Sequence, residues 1–224
     1  MENQKPSPFI ISFLTLRKTI GFLGIFLPAI LLVGTIFIGR CTQIQDSISH
    51  YYYTIMGDVF VGILCMVAIF LVSYRGYNKI DNVASNLAGI FALIVAFFAT
   101  SNSNDIECSV RILSTTGWRE LTHYIAAAMF FITLAFMSYF LFTKSRGPKT
   151  KEKILRNKVY RSCGIIIITS ILVILLFRNI NWLNIHLAIY KPVFWLEWIA
   201  LAAFGTSWLV KGKFILDDEN STTD

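Results

Sequence analysis

"LTHYIAAAMFFITLAFMSYFLFTKSRGPKTKEKILRNKVYR", Leu121–Arg161, decides the fold. Its first half, Leu121–Phe142, is a long block almost free of charge. A helix that crosses the hydrocarbon core of a bilayer needs about 20 predominantly apolar residues, and this block supplies them. The second half reverses character. Lys144, Arg146, Lys149, Lys151, Lys153, Arg156, Lys158 and Arg161 stand against a single acid, Glu152. Lysine and arginine resist translocation, so a dense basic stretch after an apolar block marks a cytoplasmic loop.

The rest of the chain repeats the apolar half of this pattern. Of its 224 residues, 55% are hydrophobic and only 15% charged, whereas an average soluble domain is about one quarter charged. That leaves too little polar surface to coat a water-soluble domain. Five further blocks approach the length of a crossing: Thr19–Ile38, Ile55–Tyr74, Val83–Thr100, Ser162–Phe177 and Val193–Val210. The third, fifth and sixth blocks in chain order are short and should borrow flanking residues. The expected fold class is all-α, one six-transmembrane-helix bundle over residues 17–212. A cytoplasmic or interfacial N-terminus covers 1–16. An acidic, disordered tail covers 213–224 and carries "LDDENSTTD". The first block reads as an anchor and not as a removable signal. It is longer than an h-region of about 7–15 residues and lacks a small-x-small cleavage site. Pro28 near its middle should kink it.

Charge orients the bundle. Lys5, Arg17 and Lys18 precede the first block, Arg75 and Lys79 sit in "YRGYNKIDN", and Lys211 and Lys213 follow the sixth. With six crossings these clusters share the side of the 144–161 loop, so both termini are expected in the cytoplasm. The other side holds only Arg40, Arg111, Arg119, Arg178 and Lys191. The net charge of +7 is mostly that loop. It implies membrane lipids as partners, with anionic headgroups at 144–161, in place of nucleic acid. Oligomeric state is not legible.

Cys41 and Cys108 both fall in outer-side loops, where an oxidising compartment could join them. Cys65 lies inside the second block and Cys163 at the cytoplasmic end of the fifth.

Three ionisable residues lie within the blocks: Asp58, His123 and Glu197. Each comes two to four residues past the outer start of its block. At a rise of about 1.5 Å per residue, all three sit roughly 3–6 Å below the outer boundary. Gly62 and Cys65, Ala126 and Ala127, and Ala200 and Ser207 share their helical faces. Small residues mark helix contact, so the three should point into the bundle, where ionisable groups mark sites or pathways. They are the candidate catalytic acid–base groups; the alternative is a buried hydrogen-bonded brace. Ser49, Tyr53 and Arg119 are candidate substrate-binding groups at the outer mouth. Three histidines can hold a catalytic zinc with one open position, and His50, His123 and His186 all map to the outer side; no HxxH, HxxxH or HExxH spacing accompanies them. Zinc is the one cofactor the residues suggest. No phosphate-cradling glycine loop or dinucleotide fingerprint is present.

"YYYTIMGDVFVGIL", "SYRGYNKIDN", "HYIAAAMFF" and "FWLEWIALAAFGTSWLVKG" together resemble a group of uncharacterised bacterial six-helix membrane proteins. The likeness spans most of Tyr51–Gly212 and implies a multi-pass protein of the bacterial cytoplasmic membrane. More remotely, the arrangement resembles the DRAM/Sfk type, which implies lipid handling. It also resembles the alkaline ceramidase and adiponectin-receptor type, which implies intramembrane zinc hydrolysis. In the latter, Ser49 and Asp58 would stand for an early Ser and Asp; the late HxxxH and the seventh helix have no counterpart here. Three function classes follow: a lipid-interacting protein, including an intramembrane hydrolase; a small transporter or channel for a proton or cation; and a structural or assembly protein.

Overall fold

A computed structural model describes residues 13–100, 108–111, 117–145 and 150–216. The described residues contain no strand. The apolar blocks form helices α1 (Phe13–Phe37), α2 (Gly57–Ser73), α3 (Lys79–Phe97), α4 (Gly117–Phe136), α5 (Lys151–Asn179) and α7 (Pro192–Lys211). A 3-10 turn, Ile48–Tyr53, precedes α2, and a short α6, Asn181–Leu187, follows α5. α1 runs through Pro28 without interruption. α4 continues into a π-helical turn, Met137–Leu141. Five helices are long and apolar enough to cross a membrane: α1, α3, α4 with its π turn, α5 and α7. α2 is apolar but has 17 residues, below the usual length.

One boundary corrects the sequence reading. The basic stretch 144–161 is not a loop for most of its length, because α5 begins at Lys151. Thr150 caps it by accepting the Lys153 N–H at 3.1 Å, and Glu152 complements the positive end of the helix in its first turn. Once capped, nothing in "KEKILRNKVYR" breaks a helix.

The six helices built from the apolar blocks form a ring in chain order. α1 packs on α2, α2 on α3, α3 on α4 and α4 on α5; α5 then packs on α7, and α7 closes on α1. Glycines let backbones approach at these seams. A Cβ on Gly21 would lie 2.7 Å from Leu209 Cγ, and one on Gly24 would lie 2.8 Å from Phe204 Cδ1. Close backbone contact between small residues is how membrane helices gain packing where burial gives no advantage over lipid. Inside the ring, Trp208 is fully buried. Tyr74 and Phe142 meet it edge-on, with ring centroids at 5.0 and 5.2 Å. The outside is apolar too: Ile69, Leu172 and Ile199 are exposed. Apolar residues on both surfaces of a helix ring are what a bilayer solvent selects.

The two ends differ. At the basic end, the starts of α1 and α5, the α2–α3 turn and the end of α7 come together. Arg17 donates to the Lys211 carbonyl at 3.4 Å, and Lys144 pairs with the buried Asp81 at 2.7 Å. Asp81 also accepts the N–H groups of Tyr77 and Asn78 at 2.7 and 3.2 Å. Gly76 is required here for space, since a Cβ would collide with Asp81. At the other end, Cys41 and Cys108 form a disulfide with a Cα–Cα distance of 6.1 Å.

Candidate functional site at the disulfide end

The site begins with the chain between α1 and α2. Ser47 opens the 3-10 turn by accepting the His50 N–H at 3.2 Å, and Thr54 closes it by donating to the Tyr51 carbonyl at 2.8 Å. Such short side-chain bonds let polar residues substitute for helical pairing. The turn is pinned from several directions. Phe194 donates its N–H to the Asp46 carbonyl at 3.1 Å, and Val110 donates to the Tyr53 carbonyl at 2.9 Å. Lys191 pairs with the Asp46 carboxylate at 2.5 Å. Tyr51 packs on Phe194 with ring centroids at 6.0 Å. The turn is thereby folded inward over the ends of the helices.

This places Ser49 beside His123 of α4. Ser49 Oγ lies 3.0 Å from His123 Nε2, and His123 Nδ1 lies 2.6 Å from the Phe98 carbonyl oxygen. A carbonyl only accepts, so Nδ1 carries the hydrogen in the neutral ring. Nε2 is then left as the acceptor for the serine hydroxyl. His123 itself is buried. Glu197 of α7 uses Oε2 to accept the Ile48 N–H at 2.6 Å. Ser49 and Glu197 line one small cavity of about 40 Å³, otherwise walled by apolar side chains such as Leu27, Phe60 and Phe130. That volume suits a water and no more than a few atoms of a larger molecule. Ser49 and Glu197 thus share one small, largely apolar cavity, and the buried His123 reaches it through its bond to Ser49.

A second polar chain runs alongside. Tyr53 donates to the Thr100 carbonyl, Thr100 Oγ1 lies 3.1 Å from the Tyr124 hydroxyl, and Tyr124 donates to Glu120 at 2.9 Å. The Arg178 guanidinium sits over the Tyr124 ring at 3.8 Å.

Several sequence expectations are corrected. Asp58 does not face the bundle. Its side chain is 86% exposed and pairs with Arg111 at 2.6 Å. As the second residue of α2 it needs only the helix's positive end and a surface cation. Tyr53 is fully buried, not at an open mouth; burial pushes its phenol up to about 12. Arg119 stacks over Phe98 and Trp118 at 5.9 and 6.0 Å, which draws it along the helix surface. The three histidines separate. His50 Nδ1 meets Ser47 Oγ at 3.0 Å, His123 meets Ser49, and His186 is exposed on α6, with Nδ1 2.8 Å from the Trp182 carbonyl oxygen. Among the described residues, no three His, Cys, Asp or Glu side chains are grouped to hold a metal ion. Burial holds the His50 imidazole below its ordinary range. The Asp46 carboxylate opposes this, and His123, Arg178 and Lys191 reinforce it.

Sequence reasoning did not find Thr100, Glu120, Tyr124 or Arg178. Glu120 and Tyr124 are four apart on α4, a spacing that pairs side chains on one helical face, and that signal was available. Glu197 meets the backbone of Ile48, and His123 meets the backbone of Phe98 besides the Ser49 hydroxyl; no residue pattern reveals such backbone partners. No family model, curated protein or solved structure matches the chain.

Proposed function

We propose that the chain is a lipid-interacting integral membrane protein that crosses the bilayer six times, with both termini on the cytoplasmic side of a bacterial cytoplasmic membrane, and that it acts on acyl esters of lipids through Ser49 and His123. Two arguments support the orientation. Cations gather at one end of the bundle, and the disulfide lies at the other, where an oxidising compartment would keep it closed.

The observation that carries the chemistry is the bond between Ser49 Oγ and His123 Nε2, with Nδ1 anchored on the Phe98 carbonyl. This is the arrangement of a nucleophile, its base and an orienting group. Ser49 Oγ would attack the ester carbonyl while Nε2 takes its proton. The leaving alcohol would then recover that proton, and water would release the acyl group by the same route. The cavity as it stands is water-sized, so an ester reaches Ser49 only when the 48–53 turn lifts from α7. The Glu197–Ile48 bond is the latch on that turn.

A serine-reactive fluorophosphonate applied to the full chain in nanodiscs tests this reading. Labelling should map to Ser49. It should fall about a hundredfold in His123→Ala, as loss of a general base implies, and vanish in Ser49→Ala. Absence of labelling in folded protein would remove the hydrolase reading. The same Glu197–Ile48 bond would then favour a second one, in which these polar groups brace the outer end of a structural membrane protein.

A further inference from the structure

Between α5 and α7 the chain takes a short helical step across the disulfide end of the bundle. α6, Asn181–Leu187, runs into a 3-10 turn, Ala188–Tyr190. Neither element buries any of its residues. Yet Trp182, Ile185, Ile189 and Tyr190 are large apolar side chains, and the two isoleucines are 77% and 79% exposed. Soluble surfaces keep such patches small, and a larger one marks a contact. The step is firmly built. Leu176 accepts the Ile180 N–H at 3.0 Å and Ile180 accepts the Asn184 N–H at 3.2 Å, so α6 starts directly from the end of α5. Lys191 then takes a left-handed backbone, φ 52°, and Pro192 opens α7. The Lys191 ammonium holds the Asp46 carboxylate, and the Phe194 N–H holds the Asp46 carbonyl. The far end of the step is thereby tied to the chain that enters the Ile48–Tyr53 turn.

We infer that α6 and its 3-10 turn lie in the lipid leaflet at the disulfide end, with Trp182, Ile185 and Ile189 towards the acyl chains, and that this seat anchors the Ile48–Tyr53 turn through Lys191 and Phe194. Trp182, Ile185 and Ile189 follow one another at helical spacing and share a face, while Asn181 and Asn184 share another. An apolar face beside a polar one, on a helix too short to cross, is the pattern of a segment lying in the plane of an interface. The depth is bounded from both sides. A seven-residue helix leaves most of its backbone groups outside intrahelical bonds, which hydrocarbon penalises. Tyr190 and Trp182, the latter stacked on His186 with ring centroids at 4.8 Å, join an apolar body to a polar tip and settle at headgroup level. No acid occurs from Asn179 to Leu196, so nothing there repels headgroup phosphates. The occupant is lipid and not a second copy of the chain, because exposed apolar surface continues onto both flanking helices, at Leu172 and Leu176 of α5 and at Trp195 and Ile199 of α7. The inference rests on the bilayer crossing of α5 and α7 proposed above and not on the chemistry proposed for Ser49.

The test uses the full chain in phosphatidylcholine liposomes. A photoreactive benzophenone amino acid is placed at Ile185, at Ile189 or, as reference, at Leu172 of α5. After irradiation, mass spectrometry should find lipid adducts at all three positions. Adducts at Leu172 alone would overturn the inference and leave the crossing of α5 intact; adducts at none would overturn both. Cross-linked dimers at Ile185 in place of lipid adducts would assign the face to a second copy and also overturn it. Hydrogen exchange reads the anchoring. I185N/I189N changes only exposed positions, which leaves the fold in place. In this variant, amide exchange over residues 46–53 should rise about threefold or more, while exchange in α3 should change less than about twofold. Unchanged exchange over residues 46–53, or an equal rise in α3, overturns the anchoring.

Discussion

His50 is where acidity should act most directly on this fold. Its imidazole is held below the ordinary value near 6.5 by burial, and the Asp46 carboxylate only partly offsets this. The folded state therefore favours the neutral ring, and the unfolded chain binds the proton more readily. Stability should be complete above about pH 6.5 and decline as pH falls below it. Thermal unfolding between pH 7.5 and 5 should show that decline, and His50→Gln should flatten it. A variant that keeps the full slope would assign the proton to another group. Residues also mark how far the site was legible. Glu197 and His123 could be singled out because ionisable groups are rare in apolar blocks, and both take part in the polar site. Asp58 had the same credentials and lies outside it. Depth along a helix is set by residue count, but facing depends on where the neighbouring helix lies. Small residues on the Asp58 face suggested a neighbour, yet a Cβ on Gly62 would meet nothing within 4 Å. Ser49 was legible as a candidate substrate-binding hydroxyl at the outer mouth, but not as a partner of His123, because that contact exists only where a turn folds inward.

At the scale of elements, the apolar blocks located every long helix, because length and hydropathy alone decide what can sit in a bilayer. The ends were less legible. α5 begins at Lys151 and not at Ser162, since helix propagation continues past the apolar stretch wherever a cap and good helix formers allow it. The pairing of α1 with α7 could not be read from either helix separately. Its tightest point is Gly205, whose Cβ position would meet the Gly21 carbonyl and, at 3.0 Å, the Ile25 backbone nitrogen. Backbone cannot move aside as a flexible side chain can. Gly205→Leu should therefore destabilise by about 1–3 kcal/mol. Gly62→Leu, on the open face of α2, should be close to neutral. Comparing the two in thermal unfolding checks whether the seam itself matters or only the added volume.

In the whole molecule, the ring closes twice, once by packing and once by a covalent bond. α7 returns to α1, and the disulfide ties the chain after α1 to the chain after α3. The bridge spans a sequence separation of 67 residues. The chain-entropy argument places its stabilisation at up to about 4 kcal/mol. Reduction of the purified protein should lower its unfolding temperature, and Cys41→Ser with Cys108→Ser should reproduce the loss without reductant. An unchanged temperature would mean that the packed ring suffices alone. The bridge has a further consequence for the protein's removal. It makes α2 and α3 part of a closed covalent loop threaded into the bundle. A machine that extracts the chain by pulling its C-terminus can draw it out as a single strand only as far as Cys108. Beyond that point its pore must admit three strands side by side, the two arms of the loop and the chain before Cys41, or the bond must first be reduced at the other end of the bundle.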